Sequence, residues 1–193
     1  CKATAPAHRK AALMDLESLT RAEMCALIVE TLATSGIDVV LVGGSCVCIY
    51  TNERFGSLDL DFIDLTYSRR KEIAAALKEI GFTPRGNTKY FENPDCQWSV
   101  EFPTAPLAIG HEQIDSTRIA SIETASGTVR LLNPTDTVKD RLLWYYLEQD
   151  GQCWQQALDI ARCQSIVWRD LKTWHEREGY ADEYTRFRGA LDK

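Results

Sequence analysis

The sequence predicts an α+β fold in which a mixed α/β block is followed by a helical bundle. Three observations carry this. Short β-branched or alternating apolar runs read as buried strands: "IDVVLVGG" at 37–44, "LDLDFIDL" at 58–65 and "CQWSVEFP" at 96–103. From Pro134 onward the periodicity is helical, interrupted only at Asp150-Gly151 and Gly179. At 193 residues, 45% of them hydrophobic, the chain is long enough for a proper core, with an α/β part expected over 1–132 and a helical part over 133–193.

The elements follow in order. Positions 10–35 carry apolar residues at helical spacing (Leu13, Leu16, Leu19, then Met24, Leu27, Ile28, Leu32), giving two helices or one with a break near Thr20. Thr20 and Glu23 are spaced as a capping box, and Gly36 is a stop. The 37–44 run ends in glycine as a buried strand does, and "SCVCIYTN" forms a short helix leaving that turn. The 58–65 run alternates as a second strand. "SRRKEIAAALKEIG" is a helix with Ser68 as cap and Gly81 past its end. "FTPRG" and "KYFEN" pair as a hairpin or edge, and 96–103 is a third strand. Positions 104–127 show no clear pattern. "TVRLLNPTD" is a strand entering a helix, with Asn133 as N-cap, Pro134 first and Asp136 in the first turn. Helices are then expected over 134–149, 152–164, 166–178 and 181–191.

Charge and cysteines narrow the function. A net charge of −6 argues against a protein that coats nucleic acid nonspecifically, since that binding needs many cations. It leaves room for a local basic patch from Arg69, Arg70, Lys71, Arg85 and Lys89. No membrane span or secretory leader is visible, and seven scattered cysteines without a C-x-x-C pair fit a reducing compartment, so a cytoplasmic location is expected. Cys46 and Cys48 read as small buried hydrophobes. His8, His111 and His175 are far apart, and "HEREG" lacks the second histidine of a zincin motif, which argues against zinc. Trp144, Tyr145, Tyr146, Trp154, Trp168 and Trp174 could stack on a base or sugar, but most are spaced as core residues, and none is assigned to a ligand.

The chemistry gathers on one strand and one turn. Side chains alternate along a strand, so Asp59 and Asp61 share a face while Leu58, Leu60 and Phe62 share the other. Their Cα atoms are then roughly 6–7 Å apart. The plain alternative, two acids solubilising an exposed strand, is a costly use of a residue disfavoured there. Like charges that close favour a cation between them, and oxygen ligands suit Mg2+ or Mn2+. Asp64 breaks the spacing and reads as a strand-end or capping residue. Gly43-Gly44-Ser45 opens a helix after a strand; its glycines let a phosphate approach the backbone, the helix amides point at it, and the Ser45 hydroxyl adds a donor. It is neither a Walker loop nor a dinucleotide fingerprint, and Val47 stands where a hydrolase elbow needs glycine.

Gly43-Gly44-Ser45, thirteen residues, then Asp59-Leu60-Asp61, with Val100-Glu101-Phe102 later, resembles the signature of the polymerase-beta-like nucleotidyltransferase superfamily over about 37–103. "NPTDTVKDRLLWYY" and the later "QALDIAR" look like the lysine helix and Asp-bearing helix of AbiEii-type and related stand-alone bacterial nucleotidyltransferases. The resemblance implies a nucleotidyltransferase-like mixed sheet with flanking helices. It implies Asp59, Asp61 and Glu101 as catalytic and metal-binding acids, with Asp95 the less favoured substitute for Glu101. Gly43, Gly44, Ser45 and Lys139 would bind nucleotide, with Arg141 or Asp159 bracing the site. The implied cofactors are Mg2+ or Mn2+ with a nucleoside triphosphate as co-substrate. The acceptor would be an RNA end, a protein or a small molecule, and the chain the toxin of a toxin–antitoxin pair with an antitoxin-like partner. The alternative is a catalytically silent binding or assembly module of the same fold.

Overall fold

A computed structural model describes residues 15–192. The expected helical residues 10–14, with Cys1 and His8, lie outside the described residues. A 3-10 turn, Leu16–Ser18, precedes α1 (Arg21–Thr34), and the two are separated at Thr20, whose capping box with Glu23 is complete. Gly36 ends the helix with φ +73°, a conformation that side-chain-bearing residues rarely adopt. The chain continues through β1 (Val39–Val42), α2 (Gly43–Tyr50) and β2 (Asp59–Asp64). Next come α3 (Arg70–Lys78), β3 (Thr83–Pro84), β4 (Tyr90–Glu92) and β5 (Ser99–Glu101). Then follow β6 (Ala108–Ile109), β7 (Glu112–Gln113), β8 (Ala120–Thr124) and β9 (Gly127–Leu131). Four helices close the described chain: α4 (Pro134–Glu148), α5 (Gly151–Cys163), α6 (Trp168–Glu178) and α7 (Ala181–Leu191).

Seven strands form one mixed sheet in the order β3-β4-β5-β2-β1-β9-β8, and β6 and β7 make a separate hairpin. β2 runs antiparallel to β1 and parallel to β5, which sets Asp61 opposite Val42 on one side and Glu101 on the other. Apolar residues drive the assembly. Val40, Leu41, Leu60, Phe62 and Val100 of the sheet are fully buried, as are Met24, Ile28 and Leu32 of α1, which packs on β1 and β9. α4 continues from β9 through the Asn133 cap, whose side chain accepts the Asp136 amide, and packs against α2, α5 and α6. Among the described residues no helix is long and apolar enough to cross a membrane. The cysteines at 25, 46, 48, 96, 153 and 163 are free thiols.

Two local expectations are corrected. Ser68 does not cap α3, because the Asp64 carboxylate takes its amide and that of Thr66; the cap is Arg69, whose amide bonds Glu72. Asp64 thus closes a turn at the end of β2, as its position suggested. The featureless 104–127 stretch holds two strands of two residues and the edge strand β8, where polar Ser121 and Glu123 dilute the apolar signal.

Candidate active site

The site begins where β1 ends. Gly43 has φ +67°, and a Cβ built there would lie 2.7 Å from Asp61 Oδ2, so the carboxylate occupies space that any other residue would fill. Gly44 is likewise crowded by Ser57 Oγ at 3.2 Å from a built Cβ. Asp59 and Asp61 lie partly exposed on one face of β2, while Leu60 and Phe62 are sealed on the other. Register places Ser99 beside Asp59 and Glu101 beside Asp61, and Ser99 Oγ donates to Asp59 Oδ1. Glu101 is nearly buried. Its partner is the ammonium of Lys89, an exposed residue on the turn between β3 and β4. The Tyr90 phenol also bonds Glu101 and is shifted upward by it.

Among the described residues Asp61 forms no ion pair, and the Arg141 charge across the cleft only partly offsets its surroundings. Burial, then the neighbouring Glu101 and Asp59 charges, push its carboxyl up to about 7. It opens with Glu101, Gly43 and Gly44 into a cleft of about 540 Å³. The opposite wall is the β6 hairpin strand and one face of α4, from which Asp140, Arg141 and half-exposed Trp144 look in. Arg141 is clamped by Asp140, with Nε to Oδ2 at 3.0 Å. Burial alone would depress this guanidinium, but the Asp140 charge wins and raises it.

Three sequence expectations are redirected. Lys139 is absent from the cleft. It is fully buried, its Nζ held by Glu112 at 2.8 Å, Asp170 at 2.9 Å and Asp136 at 3.3 Å. At 100° per residue, Arg141 points about 200° away from it around the helix. The signal was present in the sequence, since Thr135, Val138, Lys139 and Leu142 follow the i, i+3, i+4, i+7 rule of a buried stripe, and all are buried. Ser45 is also sealed; its hydroxyl donates to the Asp59 carbonyl at 2.7 Å and accepts from Arg21 Nη1 at 3.0 Å, leaving no proton for a phosphate. Trp144, expected in the core, faces the cleft. Asp159 pairs with Arg54 and Arg162, and Asp95 stays in its turn with its amide on Asn93 Oδ1.

Arg21 has no motif around it in the sequence. Nearly buried at the start of α1, it bonds Ser45, the Ser57 carbonyl and Glu53, and so ties the glycine-turn helix to the lead-in of β2. No local pattern marks it, because its partners lie 24 to 36 residues away.

Hard oxygen donors on one face, an uncompensated carboxylate and a missing Cβ that makes room for it together suit Mg2+ or Mn2+. Among the described residues no three acidic, histidine or cysteine groups are already gathered as a metal cluster. Glu101 is drawn to Lys89 and Asp59 to Ser99.

The sheet order, with paired acids on β2 and a third on β5 beside a strand–glycine–helix turn, defines a nucleotidyltransferase-like α+β fold. Solved structures agree. An antigenic nucleotidyltransferase-like protein from Paracoccidioides brasiliensis superposes with TM-score 0.52 at 16% identity, covering 72% of this chain and 75% of that one. The antibiotic-resistance factor ANT(2'')-Ia superposes with TM-score 0.52 at 14% identity over 91% of this chain and 100% of that one. No protein-family model matches the sequence, and no curated protein matches it significantly.

Proposed function

We propose that this chain is a metal-dependent nucleotidyltransferase that moves a nucleoside monophosphate from a nucleoside triphosphate to a hydroxyl acceptor. The observation that carries the reading is Asp61, packed against Gly43 and register-paired with Glu101 at the mouth of a cleft large enough for a ligand. Phosphoryl and nucleotidyl transfer ask a protein mainly for alignment and charge neutralisation. Gly43 and Gly44 present backbone without side chains, so the β and γ phosphates can approach the first amides of α2. Asp59, Asp61 and Glu101 would hold the divalent ion, which when bound supplies Lewis-acid neutralisation of phosphate charge. Glu101 accepts the acceptor's proton. The acceptor oxygen bonds to the α-phosphorus as the bond to the bridging oxygen breaks, and pyrophosphate leaves. Arg141, clamped by Asp140, holds the α4 position on the far wall that the resemblance gave to Lys139, and braces the cleft there.

In this reading the 1–132 part supplies the acids, and the 133–193 part shapes the acceptor side. The acceptor class is an RNA end, a protein hydroxyl or a small molecule, in the cytoplasm where nucleoside triphosphates are abundant. The toxin role with an antitoxin-like partner draws its support from the sequence resemblance to stand-alone nucleotidyltransferases.

The test is incubation with Mg2+ and each α-labelled triphosphate in cell extract, reading pyrophosphate release and the molecule that becomes labelled. The Asp59→Ala, Asp61→Ala double variant should remain folded by circular dichroism and lose at least about a thousandfold in turnover. Normal turnover by that variant would remove the proposed site.

A further inference from the structure

We propose that Lys89 is a mobile counter-ion of the acid site, holding Glu101 while no divalent cation is present and turning to the triphosphate when one binds. The inference rests on the nucleotidyl-transfer reading and adds a nucleotide-binding residue to it. Charge around the cleft leads to this residue. Its lining acids are Asp61, Glu101, Asp140 and Asp150, and its lining cations are Lys89 and Arg141 alone. Arg141 is committed to Asp140, with its side chain 12% exposed, and Lys139 is sealed among three carboxylates. Of the two described lining cations, Lys89 is the one with an exposed side chain.

Its side chain is 60% exposed on a hairpin turn, although the Glu101 carboxylate it neutralises is 8% exposed. A second cleft of about 390 Å³, lined by Arg70, Phe91 and Phe102 among others, lies on its other side and shares Lys89 and Pro103 with the first. The flexible stem therefore has open space on both flanks. Asp61 and Glu101 would hold the divalent ion, and because it has the same sign as the ammonium, Glu101 would no longer need Lys89 as its partner. A compact, strongly hydrated ammonium on a four-carbon stem is well suited to a second anion nearby. The triphosphate is that anion.

The experiment measures Mn2+ binding to the metal-free full chain by the electron paramagnetic resonance signal of free Mn2+, for wild type, Lys89→Met, Lys89→Arg and Asp61→Asn. Lys89→Met should bind Mn2+ about two- to fivefold more tightly, the strength of an ordinary exposed ion pair, while Lys89→Arg stays near wild type. With Mg2+ present, Lys89→Met should bind a non-hydrolysable triphosphate analogue roughly tenfold more weakly. Equal Mn2+ affinity in Lys89→Met and wild type, with binding abolished in Asp61→Asn, overturns the role of Lys89 and leaves the site reading standing. Unchanged analogue affinity overturns the phosphate contact. Absence of Mn2+ binding in wild type overturns both the inference and the metal-dependent reading beneath it.

Discussion

Two acidic clusters in this molecule use similar residues and end in opposite states. Between β7, α4 and α6, Glu112, Asp136 and Asp170 surround Lys139, and Arg118 pairs with all three of the same carboxylates. Burial by itself raises Glu112, but hydrogen bonds from Lys139 and Arg118 win and hold its carboxyl below the ordinary range. Asp136 is driven upward because its burial outweighs the same two cations. On β2 and β5 the three acids Asp59, Asp61 and Glu101 have one exposed lysine among them, and at Asp61 burial with the Glu101 and Asp59 charges outweighs the pull of Arg141. The first cluster is filled with cations, hydrogen-bonded and closed to solvent at its centre. The second opens on a cleft and is short of positive charge. The difference teaches that a buried lysine beside aspartates is a fold device when its charge is already met, and that chemistry belongs where the charge is still unmet.

Breaking the closed cluster should produce the largest stability effect. Lys139→Met leaves three carboxylates with Arg118 alone, and unfolding in urea should show a loss of about 3–5 kcal/mol. In the fraction that remains folded, the Michaelis constant for the triphosphate should be nearly unchanged; a large rise would return Lys139 to the nucleotide site. Gly43→Ala comes next. It combines a left-handed backbone with a Cβ forced onto Asp61, so a cost of about 1–3 kcal/mol is expected together with a fall in turnover. A variant with wild-type stability and turnover would mean that the carboxylate does not need that space.

The smallest effect carries the sharpest sign. Asp61 is raised in the folded protein to about 7, from an ordinary value of 3.8. The neutral form is therefore the one the fold prefers, and relative stability is greatest below pH 4 and declines as pH rises towards 7. In metal-free protein, Asp61→Asn should consequently gain on the order of 1–2 kcal/mol over wild type at pH 8, after discounting for partial solvent access, and close to nothing at about pH 3. Thermal melts at the two pH values check this. An equal shift at both would trace the effect to packing.

Much of this was legible beforehand, for identifiable reasons. The pairing of Asp59 and Asp61 on one face follows from strand alternation, and the strand–glycine–helix turn follows from a β-branched run ending at Gly43. Asn133, Thr20 and Asp64 behave as their local chemistry indicates. Lys139 reads as a cleft residue because its neighbours in sequence look polar, whereas the stripe of Thr135, Val138 and Leu142 carries it into the interior. Arg21 gave no local signal of its contacts, Lys89 stood out only as one member of a basic patch, and Trp144 only as one of several helical aromatics.

Outside 104–127 the sequence alone determined the elements, and with them the α+β class and the shared face of the paired acids, since these depend on periodicities of two and 3.6 residues and on the backbone freedom of glycine. Tertiary structure decided which cation answers which acid. Lys139 meets Glu112 and Asp170 across 27 and 31 residues, and Arg21 meets Ser45 across 24. Such pairings are settled by how helices rotate against a sheet when apolar faces are buried, and no short window of sequence contains that rotation.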